Sequence, residues 1–206
     1  MPAPPSPSGG GARRPVVLAS ANPHKVAEIR EVLGTAIDLV PRPADVPDVD
    51  ETEPTFEGNA RLKADALVAA TGLPALADDS GLEVDALGGA PGVRSARYAG
   101  DDAVDANNVA KLLAALAEVP DAERTARFRC VVVLADPGGT EVVVDGVVEG
   151  TIIREPRGHG GFGYDPVFVP LEGDGRTFAE QDPTAKHAIS HRGRALRALV
   201  DRLATA

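Results

Sequence analysis

Two adjacent carboxylates, Asp78 and Asp79, stand where the apolar run Ala75-Leu76-Ala77 gives way to Ser80-Gly81. That run reads as a short strand, which puts the pair at the strand's end, where like charges repel and no basic residue is near in sequence. A dication would relieve the repulsion. Mg2+ accompanies polyphosphates and takes one or two carboxylates while keeping several waters. The acidic, proline-rich stretch "RPADVPDVDETEP" (42–54) offers Asp50, Glu51 and Glu53 as further donors. One carboxylate of such a set could also orient or deprotonate an attacking water. Taken by itself, an acidic dipeptide reads more readily as a solvated loop in which Asp78 caps a turn.

Cations occupy two unusual places. "NPHKVAEIREVLG" opens a helix with His24 and Lys25, and "SHRGRALRALVDRLA" opens one with His191 and Arg192. A helix N-terminus is already positive, so basic pairs there are either screened surface charges or partners for a bound anion. Two such starts, one directly after a strand, favour phosphate. "SANPHK" (20–25) lacks the P-loop pattern but has the same parts: a strand, a turn of small residues, a helix start and a lysine. Lys63 lies four residues after Asn59 on an otherwise inward helical face, where it either snorkels or reaches a phosphate. "GGFGYDP" (160–166) sets Phe162 and Tyr164 between glycines in a chain with only 3% aromatic residues. A ring so flanked can stack on a planar ligand, worth about 1–3 kcal/mol for a nucleobase, with Asp165 accepting from a ring N–H. The other reading is a bulge that packs at least Tyr164 into the core.

Elements to carry these groups follow from periodicity. Val16 to Ser20 reads as a buried strand, followed by a helix with Pro23 in its first turn, an apolar stripe at Val26, Ile29 and Leu33, and Gly34 as its stop. "IDLVP" is a second strand candidate. Thr55 caps a helix through about Thr71, with Phe56, Ala60, Lys63, Leu67 and Ala70 near one face and Gly72 ending it. "LEVDAL" reads as another short strand, "GGAPGVRSARYAG" as a glycine-rich loop, and "DDAVDANNVAKLLAALAEV" as a helix with Val109, Leu112, Leu113 and Leu116 inward. "ARFRCVVVLAD" and "EVVVDGVVEGTII" flank the turn "PGG" as a long antiparallel hairpin. "GGFGYDPVFVP" is a glycine loop feeding a strand, and the last helix turns Leu196, Leu199, Val200 and Leu203 inward. The pattern predicts an α/β fold with a mixed sheet, as one domain over 15–206, the hairpin possible as a second lobe.

Composition limits the alternatives. The 206 residues carry 21 basic and 31 acidic side chains, a formal net charge of −10, which argues against sequence-independent nucleic-acid binding. No run approaches membrane-spanning length, and "MPAPPSPSGGGARR" (1–14) has no apolar segment of a secretory signal, so it reads as a disordered leader to a cytoplasmic protein. The single Cys130, within a strand, reads as a buried inert thiol.

Five collinear blocks resemble the inosine triphosphate pyrophosphatase family, also called dITP/XTP pyrophosphatases: "LASANPHKVAEI" (18–29), "TFEGNARLKA" (55–64), "LADDSGLEVDALGGAPGVRSARYAG" (76–100), "GGFGYDPVF" (160–168) and "AISHRGRAL" (188–196). The resemblance implies a Mg2+-dependent homodimeric enzyme that hydrolyses ITP, dITP and XTP to the monophosphate and pyrophosphate, keeping deaminated purines out of nucleic acid. It implies an elongated mixed α/β fold, two-lobed, with a central cleft. By motif position, Ser20, Ala21, Asn22, Pro23, His24, Lys25 and Lys63 contact the triphosphate. Asp79 is the catalytic carboxylate and a metal ligand, with Ser80 beside the substrate. Phe162, Gly163, Tyr164 and Asp165 hold the base, Phe162 by stacking, and Lys186, His191 and Arg192 complete the contacts. Donors from His191 and Arg192 toward a 6-oxo group would select against adenine. Many relatives have Glu-Thr-Gly where this chain has Glu51-Thr52-Glu53, which leaves the loop's metal ligand among Asp50, Glu51 and Glu53, with Glu51 preferred. Two other readings are a Maf-like pyrophosphatase acting on pyrimidine or modified nucleotides, and a nucleotide sensor without turnover.

Overall fold

The computed structural model describes residues 14–205; the leader reading for residues 1–13 lies outside them. One six-stranded mixed sheet runs through the molecule in the order β2-β1-β3-β4-β5-β6. Strand β1 (Val16–Leu18) pairs in parallel with β2 (Leu39–Pro41) and with β3 (Ala75–Val84). The remaining pairings, β3 with β4 (Thr125–Ala135), β4 with β5 (Glu141–Ile152) and β5 with β6 (Phe168–Pro170), are antiparallel. Helices α1 (Pro23–Leu33) and α5 (His191–Ala204) pack on one face, and α2 (Phe56–Thr71) on the other. The short α4 (Pro183–Ile189) leads into α5, and α3 (Asp105–Ala115) covers the far end of β3 and β4.

Local sequence explains the helix ends. Asn22 accepts hydrogen bonds from the His24 and Lys25 amides at the start of α1, where Pro23 has no N–H to lose. Thr55 caps α2 through the Gly58 amide, and Gly72 closes it in the left-handed conformation. Ser190 caps α5 through the Gly193 amide.

The aspartates are not at a strand end. The two short strands expected around them are one ten-residue strand, β3, and Asp78 and Asp79 lie in its middle. Ser80-Gly81 do not break it, because β4 supplies an unbroken antiparallel ladder from Ala75 to Val84 and tertiary pairing overrides weak local propensity. Other boundaries also shift. Residues 101–104 fall outside α3, residues Gly92–Arg97 form a 3-10 segment within the expected loop, α4 was not foreseen, and Ala70 and Leu203 are exposed.

Side chains alternate across β3, and this divides the core. Leu76, Asp78, Ser80, Leu82 and Val84 face α1 and α5, while Ala75, Ala77, Asp79 and Gly81 face α2. On the first face Leu76 belongs to one apolar cluster, with Ile29, Val132 and Leu196, and Leu82 to another, with Leu112, Phe128 and Phe168. Asp78 and Ser80 occupy the band between these two cores. No helix among the described residues is long and apolar enough to cross a membrane.

Helix α5 sits so close to β5 that a Cβ at Gly146 would collide with the carbonyl oxygen of His191 and lie 2.6 Å from the Ala195 amide nitrogen. Gly146→Ala must therefore push the helix off the sheet. It is expected to lower stability by about 1–3 kcal/mol, read from urea unfolding, and to disturb the residues that α5 presents at its N-terminus. A second test concerns Arg124, buried at 2% exposure, which donates to the carbonyls of Leu116, Ile152 and Ile153 at 2.6–3.1 Å. Arg124→Met removes the side-chain donor from all three carbonyls, of which Leu116 keeps the Val119 amide, and is expected to cost about 2 kcal/mol or more in the same measurement.

Candidate active site

The cleft begins where β1 stops. Past Leu18 the chain turns into α1, so β3 has no strand neighbour on that side between Ala77 and the isolated bridge Glu83–Pro91. Helix α1 leaves to one face and α2 approaches on the other, and crevices of this kind at the carboxyl ends of parallel strands are where α/β sheets bind ligands. Two cavities open along this free edge. One, of about 400 Å3, is lined by Ser20, Lys25, Lys63, Asp78 and Arg97. The other, of about 140 Å3, is lined by Asp79, Ser80, Phe162, Tyr164, Asp165 and Arg192. Asn22, Lys25 and Glu51 line both, so the two are ends of one cleft. A larger cavity of about 880 Å3, beside Glu53, Arg61 and Arg129, holds none of the sequence-predicted residues except Glu53, one of the three acidic-loop alternatives.

The apparent repulsion between the aspartates is resolved by the pleat. Being consecutive on a strand, they point to opposite faces, and each meets its own cation. Asp78 Oδ2 takes the Lys25 ammonium at 3.2 Å and the Arg192 Nε at 3.3 Å. Burial opposes ionisation of Asp78, but Lys25, Arg192 and Lys63 outweigh it and hold the carboxyl below its ordinary range. Its Oδ1 is buried without a hydrogen-bond partner among the described residues. On the other face, Asp79 accepts from Lys63 Nζ at 3.0 Å and from Asn59 Nδ2 at 3.3 Å. Lys63 is shared, however: it lies 2.7 Å from Glu51 Oε1 and also donates to the Asp78 carbonyl at 3.2 Å. Burial therefore wins at Asp79, whose carboxyl is raised, helped by the nearby Glu51 charge. At Glu51 burial loses to Lys63 and Arg97, and the carboxyl is lowered. Lys63, facing Asp79, Glu51 and Asp78, is held protonated despite its burial.

Glu51 is the acidic-loop residue that lines both ends of the cleft. Glu53 turns away: its amide is anchored on Asn59 Oδ1 at 2.9 Å and its side chain packs beside Gly58. Asp50 lines the wider cavity without an ion pair among the described residues.

The base-side residues gather on a second charged cluster. Arg192 bonds Asp78 through Nε, Glu28 through one terminal nitrogen and Ser80 Oγ through the other, at 2.8 Å. Lys186 Nζ bridges Glu28 at 3.1 Å and Asp165 Oδ2 at 2.7 Å. A buried guanidinium must be paired, and Arg192 is bound into the wall by three of its five N–H groups while it still lines the smaller cavity. Asp165 is likewise engaged: its Oδ2 also accepts the Phe162 amide at 2.9 Å, and burial keeps its carboxyl raised in spite of Lys186. Tyr164 is buried, with its hydroxyl donating to the Ser95 carbonyl at 2.8 Å, so its ring is core rather than ligand platform. Phe162 stays half-buried, stacked on His24 with centroids 5.5 Å apart and with Lys186 Nζ 4.9 Å from its ring centre. Gly163 donates its amide to Asp105 Oδ2 at 2.6 Å. His191 stacks on Phe128 at 4.7 Å; burial, then the charges of Arg192 and Lys186, hold it neutral, and its Nδ1 lacks a partner among the described residues. Ser20 accepts the Asn22 amide at 3.3 Å, and Ala21 and Pro23 complete the turn into α1. Cys130, beside Ser80 on β4 and pushed up to about 12 by burial, is an inert thiol.

Sequence reading missed Glu28, Arg97 and Asp105. Glu28 was detectable, since it follows Lys25 by three residues and precedes the buried Ile29, an acidic group on an inward stripe. Asp105 gave no signal beyond an acidic residue in a first helical turn.

This arrangement has known relatives. A dITP/XTP pyrophosphatase of Nocardia farcinica is 55% identical over 195 residues, 92% of this chain and 94% of that protein. One of Streptomyces avermitilis is 53% identical over 190 residues, 90% and 94% of the two chains. The solved structure of a HAM1 protein from Coxiella burnetii matches with a TM-score of 0.86 and 48% identity, covering 94% of this chain and all (100%) of that one. The family model described as the Ham1 family matches residues 16–202, and the chain belongs to that family.

Proposed function

We propose that the protein is a Mg2+-dependent nucleoside triphosphate pyrophosphatase that converts ITP, dITP and XTP to the monophosphate and pyrophosphate. The observation that carries this reading is one cleft with two chemically distinct ends: an aromatic end at Phe162, and an end where Lys25 and Lys63 flank a pair of buried carboxylates. The relatives' shared name supports the substrate class, as does the net charge of −10, which suits a small ligand in a local basic site better than a polyanionic strand. The resemblance also supports a homodimer.

Asp79 and Glu51 fit a Mg2+ site. Both lie within 3.0 Å of the same Lys63 ammonium, and of the three carboxylates around that ammonium Asp79 alone is raised. No group of three or more metal-ligating side chains converges among the described residues, which suits a metal completed by waters and substrate phosphates. When bound, the metal would supply charge neutralisation at the phosphates. Asp79, raised in proton affinity, accepts a proton from a water that attacks the α-phosphorus. The bond from that phosphorus to the bridging oxygen breaks, and pyrophosphate leaves facing Lys25 and Lys63. Asn59 holds Asp79 in orientation through its Oδ2. The base lies against Phe162, and His191 and the guanidinium N–H groups of Arg192 that its three partners leave over are the donors for its 6-oxo group.

Two measurements test this. In a panel of ITP, dITP, XTP, ATP, GTP, dTTP and UTP, pyrophosphate release should favour the first three and need Mg2+; preference for dTTP or UTP, or no release with the metal present, would overturn the reading. Asp79→Asn should reduce ITP turnover by at least about a hundredfold while leaving the protein at least as stable as wild type at pH 7. The sign follows from the raised carboxyl: ionising Asp79 costs folding free energy above its folded pKa. That cost fades as pH falls through the folded pKa toward the ordinary aspartate value of 3.8. Unfolding midpoints for the two proteins should therefore converge at low pH.

A further inference from the structure

Phe162 is half-buried at the cleft's aromatic end, where Tyr164 and Phe128 are buried, and its backbone is unusual. It lies between two glycines in the left-handed region, Gly161 at φ 70° and Gly163 at φ 61°. A Cβ at Gly161 would run into the Asp165 carboxylate, so that position must be glycine. Flexible neighbours alone would leave the ring free to wander; its place depends on what holds the adjacent amides. Both are held by carboxylates. The Phe162 amide donates to Asp165, which Lys186 ties to the wall made by α1, α4 and α5. The next amide, Gly163, donates to Asp105 at the first turn of α3, on the opposite wall.

We propose that Asp105 is a positioning residue for the nucleobase: it fixes Phe162 across the cleft and so sets the width of the base slot. The proposal rests on the reading of the cleft as a purine nucleotide site. Asp105 itself stands on a rigid base. Three residues further along α3, the buried Asn108 accepts the Ala99 amide at 2.7 Å and donates to the Ala96 carbonyl at 3.0 Å. Ser95, in the same segment, donates to the Gly92 carbonyl at 2.6 Å, accepts the Leu82 amide at 2.8 Å and receives the Tyr164 hydroxyl on its own carbonyl. The loop 161–165 is thus pinned to α3 and to the 3-10 segment Gly92–Arg97 at two adjacent residues, by Gly163 to Asp105 and by Tyr164 to Ser95. Asp105, Asn108, Ser95 and Phe162 line the same 140 Å3 cavity. The plainer account of an acidic residue in a first helical turn is a favourable interaction with the helix dipole. That account predicts a change in stability and no change in ligand binding.

Titration calorimetry of inosine monophosphate and of inorganic pyrophosphate, each alone, separates the two. Asp105→Ala should weaken the monophosphate about tenfold, as expected for losing one charge-assisted hydrogen bond, and leave pyrophosphate binding within about twofold. Asp105→Asn, which keeps an acceptor, should restore most of the loss. With ITP as substrate, the alanine variant should raise KM more than it lowers kcat. Unchanged monophosphate binding in Asp105→Ala, or an equal loss for both ligands, overturns the proposal. If Asp105→Ala unfolds, the same comparison on Asp105→Ser, which suits a first helical turn but has a shorter acceptor arm, decides it. Wild-type protein that binds neither ligand would overturn the nucleotide reading of the cleft, and this role with it.

Discussion

Everything at this site depends on how two buried like charges can be neighbours in one strand. The pleat separates Asp78 and Asp79 onto opposite faces, but separation does not remove the cost of burying either. Each therefore needs a cation delivered from its own layer: Lys25 and Arg192 from α1 and α5, and Lys63 from α2. The three helices are in this sense fixed by β3. If α1 slid by a turn, Asp78 would lose Lys25 and Lys25 would lose its only ion-pair partner among the described residues. The arrangement also differs on the two sides. Asp78 has two cations close by and is overcompensated, whereas Asp79 shares one lysine with Glu51 and is undercompensated. A carboxylate kept short of positive charge retains affinity for a proton or a metal, and one saturated with it does not.

The second cluster does structural work that an apolar core would do differently. Glu28, Lys186, Arg192 and Asp165 join α1, α4, α5 and the loop before β6 through charge pairs at 6% exposure or less for three of the four side chains. Buried ion pairs contribute little net stability, because desolvation offsets the attraction, but breaking one is costly because it strands a charge. Such a cluster tolerates only one geometry. Apolar packing in the same place would permit small sliding adjustments, and the lysine and arginine beneath Phe162 would then not be fixed relative to the ring.

Much of this was legible in the sequence, and the exceptions have physical causes. The cap at Thr55, the hairpin of β4 and β5, and the glycine loop around Phe162 all came from short-range signals that the structure repeats. The continuous β3 did not, since Asp-Asp-Ser-Gly has poor strand propensity and is held extended by the ladder to β4. Burial of Arg192 and the pairing of Lys25 were invisible for the same reason: the partners lie 114 and 53 positions away along the chain, on other elements. At the Glu53 departure the side chain lies outside the two cavities of the cleft, beside Gly58.

The cleft's two ends are built on different foundations, and this bears on what each can do. Asp79, Ser80 and Gly81 stand on a central strand whose other edge is fully paired, which gives the Asp79 carboxylate a rigid support. Phe162 stands on a loop, between glycines, and owes its place to hydrogen bonds from two walls. Hydrolysis of a triphosphate needs accurate placement of a carboxylate and cations against a phosphorus, and gains nothing from a movable base. Discrimination between bases, by contrast, is a matter of slot width and a few donors, which loop contacts can adjust without touching the strand. Substitutions that alter which purine is accepted should therefore fall in the loop 160–165 and its anchors on α3 and α4, while those in β3 alter rate for every substrate alike.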